Sequence, residues 1–151
     1  MTHASASPAH QDSPPRKDRW LRAVVYGLLA EIATIATIVV VVLAYKYLFA
    51  RGLPEPAYTA FGERVGAIIG PVGGTLYTFI LARRLMPGIS SRFIAHGIVV
   101  ALAAVALSVG GSIAGHQDVP TAYLLASALK IIAGALAGFF YVRSEVRKRT
   151  A

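Results

Sequence analysis

Four apolar stretches, each long enough to cross a bilayer as a helix, dominate this chain. They fall at about residues 23–45, 65–82, 93–114 and 119–142. A hydrocarbon core of roughly 30 Å takes about 20 residues of helix. Lipid offers no hydrogen-bonding partner, so a spanning segment must satisfy its own backbone, which leaves helices and closed barrels. Unbroken apolar runs of this length specify helices. The expected fold class is therefore all-α: a polytopic membrane protein with four transmembrane helices in an antiparallel bundle.

The rest of the composition agrees. Of 151 residues, 56% are hydrophobic and only 15% charged, with mean hydropathy +0.60. A soluble domain carries about 25% charged residues. The net charge of +8 could suit nucleic acid. Most of these charges sit at the ends of apolar runs, so the lipid bilayer is the expected partner and nucleic acid is not. The absence of cysteine excludes disulfides, thiolate metal sites and a cysteine nucleophile.

Residues 1–18 are rich in Ser, Pro and Ala and read as a disordered cytoplasmic tail, with His3 and His10 as isolated solvated residues. The transmembrane domain is assigned to 19–143 and a basic cytoplasmic tail to 144–151. A signal peptide would have an apolar core of about 7–15 residues and a small-residue cleavage site. Here the first run is longer and exits through Tyr45, Lys46 and Tyr47, so it is read as a retained helix, with Trp20 at its interface. Gly52, Pro54 and Pro56 mark a loop over 51–60, and a short turn at 115–118 leads to Pro120.

Lys and Arg give the orientation. Eleven of them lie on the N-terminal flank, between spans two and three, and on the C-terminal flank; only Lys46, Arg51 and Arg64 lie on the other side. Both termini should face the cytoplasm, which requires an even number of spans. The expected location is the cytoplasmic (inner) membrane of a bacterial-type cell.

Helices in lipid associate through small residues and polar contacts. Gly70 and Gly74 form a GxxxG pair around Pro71 in the second span. A packing face is the preferred reading; a discontinuous helix opening a substrate site is the other. In the fourth span Tyr123, Ser127, Lys130, Gly134, Ala137, Gly138 and Tyr141 follow one helical stripe, with Leu125, Leu129, Ile132, Leu136, Phe139 and Phe140 largely elsewhere. The small stripe should face protein, which points Lys130 inward.

Two ionisable residues lie deep in apolar runs, Glu31 and Lys130. Unpaired, each costs about 2.5–3.5 kcal/mol at the bilayer centre on insertion scales. Glu31 is about 12 Å from the cytoplasmic edge of its span and Lys130 about 18 Å from the edge of its own. The offset is near one helical turn, within reach of a lysine. An ion pair joining the first and fourth helices is expected. His96, Thr34 and Ser127 are candidates for a surrounding network. His116 and Asp118 do not make a metal site by themselves. No Walker loop, HExxH, GxSxG or dinucleotide pattern is present, so no enzyme, cofactor or metal is expected.

The stretch Leu29-Ala30-Glu31-Ile32 resembles the corresponding part of the small multidrug resistance transporters. That resemblance implies four helices and a first-helix glutamate exchanging protons for cationic drugs. The present chain is longer, carries Lys130 and lacks the family's later aromatic pattern, so the activity is not transferred. More broadly, Glu31, Phe93-Ile94-Ala95-His96-Gly97 and Ala128-Leu129-Lys130 look like small uncharacterised bacterial four-helix integral membrane proteins. This likeness implies architecture and no activity. The leading expectation is an interaction or assembly component with a structural Glu31–Lys130 pair, as a homo-oligomer or with another membrane protein. The alternative is a small proton- or ion-coupled transporter or channel using the same charges.

Overall fold

The computed structural model describes residues 19–115 and 121–150, in which all regular structure is helical. Helix α1 spans Trp20–Ala44 and continues into a π-helical turn, Tyr45–Phe49. Helix α2 spans Glu55–Leu85 and ends in a 3-10 turn, Met86–Gly88. Helix α3 spans Phe93–Ala114 and α4 spans Thr121–Thr150. All four are long and apolar enough to cross a membrane. The run Ile38 to Leu43 in α1 is mostly β-branched, which disfavours helix in water. A lipid surrounding, in which the backbone must be satisfied internally, would outweigh that preference.

Two boundaries differ from the sequence reading. The expected loop over 51–60 is shorter, because α2 already begins at Glu55. Pro56 lies in the first turn of α2, where a missing N–H costs nothing. Pro71 lies inside α2 without ending it. The basic segment after residue 143 continues α4 to Thr150. The tail 1–18, with His3 and His10, and the turn carrying His116, Asp118 and Pro120 lie outside the described residues.

The connection before α2 is fastened by side chains. Gly52 takes φ 82°, a left-handed conformation that glycine adopts freely. The Tyr58 hydroxyl donates to the Ala50 carbonyl at 2.7 Å and accepts from the Leu53 amide at 3.0 Å. Lys46 pairs with Glu55 at 2.5 Å and lies over the Tyr58 ring.

Each helix packs mainly against two others, in the ring order α1, α2, α4, α3; α1 and α4 stand diagonally opposite. The surface is apolar, with Ile68, Val72, Leu76, Leu124, Leu125 and Ile132 all exposed, while Glu31, Thr34, Thr78, His96 and Lys130 are buried. That reverses the arrangement of a soluble protein.

The two ends of the bundle are built differently. At the end holding Trp20, Phe93 and Tyr141, Met86 and Ile89 fold under the helices. They form a compact core with Ala23, Ala82, Leu85, Val100 and Ala137. Close approach there depends on glycine. A Cβ on Gly97 would meet the Gly134 carbonyl, and one on Gly134 would meet the Gly97 carbonyl. One on Gly138 would lie 2.6 Å from the Phe93 carbonyl oxygen, and one on Gly27 would strike the Val100 carbonyl. Among the described residues, the opposite end, near Glu63, Gly115 and Tyr123, is open.

Candidate functional site

The structure brings Glu31 and Lys130 together on the bundle axis. Lys130 Nζ donates to Glu31 Oε2 at 2.5 Å, and the Ser108 hydroxyl donates to Glu31 Oε1 at 2.6 Å. Both side chains are almost wholly buried, at 6% and 5% exposure. Because α1 and α4 are diagonal, the pair bridges two helices that otherwise hardly meet. Ser108 adds α3. Helix α2 contributes Gly74: a Cβ there would lie 2.6 Å from Lys130 Cε. Gly74 therefore clears the path along which the lysine stem crosses the bundle. All four helices converge on one carboxylate and one ammonium.

Burying both charges is costly, and their attraction offsets that cost only with good geometry and further hydrogen bonds. Here each carboxylate oxygen accepts one bond. The lysine uses one of its three N–H donors among the described residues.

Above the pair lies a cavity of about 590 Å³. Its floor is Glu31, Lys130 and Ser108; Thr34, Ser112, Ser127 and Tyr123 add hydroxyls, and Ile35, Ile38 and Leu107 add apolar wall. Glu63 and Tyr123 also line it and are exposed, which places its mouth at the open end. From Tyr123 to Lys130, and from Gly115 to Ser108, is seven residues, so the floor is about 10 Å deep. A volume of this size falls within the range of small-molecule sites.

The other sequence candidates take separate places. Thr34 lines the cavity but donates to the Ala30 carbonyl at 2.9 Å. Ser127 also lines it and makes no hydrogen bond to the pair. His96 does not join the network. It is fully buried in the closed end, its ring stacked on Trp20 at 3.9 Å, with Nδ1 3.0 Å from the Arg92 carbonyl. Since a carbonyl only accepts, Nδ1 carries the proton. Ser108, the Glu31 partner on the same helix, is twelve residues further on, about 18 Å away.

The glycines divide as well. Gly134 and Gly138 pack against α3, and Gly74 packs against the lysine. Gly70 was expected to pack a neighbouring helix, but a Cβ there would meet nothing within 4 Å. It lines the cavity with Pro71 instead. The GxxxG spacing puts two glycines on one face, and only one of them has a neighbour to receive.

Sequence reasoning missed Ser108 and Glu63. The one available signal for Ser108 was its helical spacing with Gly111, Ser112 and Gly115, a small polar stripe along α3. No protein family, curated protein or solved structure matches the chain.

Proposed function

We propose that this is a four-span protein of a bacterial-type cytoplasmic membrane, with both termini cytoplasmic, acting as a small proton- or ion-coupled transporter. Phe93 facing Tyr141 and Gly97 facing Gly134 support an antiparallel order for α3 and α4. The placement of lysine and arginine supports the orientation.

The observation that carries the transport reading is the cavity ending on Glu31 and Lys130. A purely structural pair would be sealed by packing. This one borders a space of about 590 Å³ lined by hydroxyls. Intramembrane ionisable residues in such settings mark substrate or proton pathways. In this reading Glu31 is the carboxylate that binds the proton or ion, Lys130 is its counter-charge, and Ser108 orients the carboxylate.

The test is reconstitution in liposomes with an imposed pH gradient, run with sodium, potassium and free amino acids supplied outside. Wild-type protein should dissipate the gradient faster than protein-free vesicles, and folded Glu31→Gln should not. A wild-type protein that holds the gradient as long as empty vesicles overturns the reading.

Assembly, the leading expectation from sequence, becomes the second reading. It draws support from an outer groove between α2 and α4, lined by Val72, Leu76, Phe79 and Leu136. Cross-linking between Leu76→Cys chains in membranes would favour it.

A further inference from the structure

We infer that the cavity takes a compact zwitterion, a solute carrying both an ammonium and a carboxylate on an aliphatic body. This rests on the reading that the cavity holds a solute, and it names the class.

The floor has no net charge, because one carboxylate faces one ammonium. It still offers both kinds of hydrogen-bonding capacity. Lys130 has two N–H donors beyond the one given to Glu31, and each Glu31 oxygen accepts one bond and retains a lone pair. A solute presenting an acceptor to Lys130 and a donor to Glu31 uses both and leaves the floor neutral. A simple cation or anion would bring an unbalanced charge about 10 Å below the mouth. Unbalanced buried charge is far costlier than a paired one.

The walls place the remainder of the solute. Between floor and mouth lie Ile35, Ile38 and Ala67, with Leu107 level with the floor. An aliphatic body directed toward the mouth meets apolar surface.

Three glycines set the space. A Cβ on Gly66, Gly70 or Gly111 would meet nothing within 4 Å, and all three line this cavity. They are not needed for helix contact within the chain. Their missing side chains are volume left to a solute, and larger residues there would project into it.

The experiment measures binding to the full-length purified protein by calorimetry, with three probes sharing one branched body. Free leucine carries both charges, 3-methylbutylamine only the ammonium, and 4-methylpentanoate only the carboxylate. Leucine should bind about tenfold tighter than either analogue or better, the worth of one lost charge-assisted hydrogen bond or more. Gly70→Leu should abolish leucine binding while the thermal midpoint of the unliganded protein does not fall. If the amine or the acid binds as well as leucine, and Gly70→Leu blocks it, the zwitterion is wrong and the solute cavity stands. Leucine binding that survives Gly70→Leu places the solute elsewhere and overturns the proposal. If no probe binds at millimolar concentration, the proposal also fails, and the gradient assay then decides the transport reading independently.

Discussion

The two ends of this bundle use the same small residues for opposite purposes. At the closed end Gly97, Gly134 and Gly138 bring backbones into contact and Met86 fills the gap beneath. At the open end Gly66, Gly70 and Gly111 touch nothing and the space between helices persists. The Glu31–Lys130 pair lies between the two regimes. Glycine in an apolar helix therefore has no fixed meaning; the neighbour decides whether it brings helices together or keeps them apart. Among the described residues, the contrast opens the bundle at the end that leads to the buried pair of charges.

The most direct way to break the comparison is by access. The chain has no cysteine, so single introduced thiols report cleanly. Ser112→Cys, lining the cavity, should react with a small water-soluble maleimide, and Ala82→Cys, wholly buried in the closed end, should not. Equal labelling would erase the distinction. Next in size is the pair itself. Glu31→Ala leaves Lys130 buried without its counter-charge and should cost about 3–5 kcal/mol. Combining it with Lys130→Met should restore much of that loss. Reversible unfolding in mixed micelles measures the coupling, and simple additivity would remove the energetic role given to the contact.

Glycine substitutions sharpen the comparison further, because one chemical change should have opposite signs at the two ends. Gly97→Ala drives a methyl into the Gly134 carbonyl and should destabilise by about 1–3 kcal/mol. Gly70→Ala meets no atom and should stabilise α2 by up to about 1 kcal/mol, the helix preference of alanine over glycine. The same unfolding assay reads both, and a shared sign would undo the assignment of the two ends.

Much of the site was legible in the sequence, because it lies on helices of regular spacing. The stripe in α4 places Lys130 with Gly134, Ala137 and Gly138 on the buried face, while Leu129, Ile132, Leu136 and the two phenylalanines are exposed. Opposite sign and compatible depth then point Glu31 and Lys130 toward each other. The ring order was not legible. Nothing in an apolar run says which helix is adjacent and which diagonal, so the pair reads equally well as a contact between neighbours. Ser108 was hidden for a related reason: a serine in such a helix ordinarily bonds the carbonyl four residues back, as Ser112 does here. Gly70 and Gly74 are indistinguishable by motif, and only the course of the lysine stem separates them. The start of α2 was obscured because Pro56 reads as a loop residue until its place in a first turn is known.

The two charged partners are 99 residues apart in the chain. Synthesis runs from the amino terminus, so the acid is delivered in the first helix and the base only in the last. Until α4 arrives, the carboxyl has no ammonium to face, and a chain cut short after α3 never acquires one. The closing contact thus marks completion of the four-helix bundle: the first helix becomes electrically settled only when the fourth is in place.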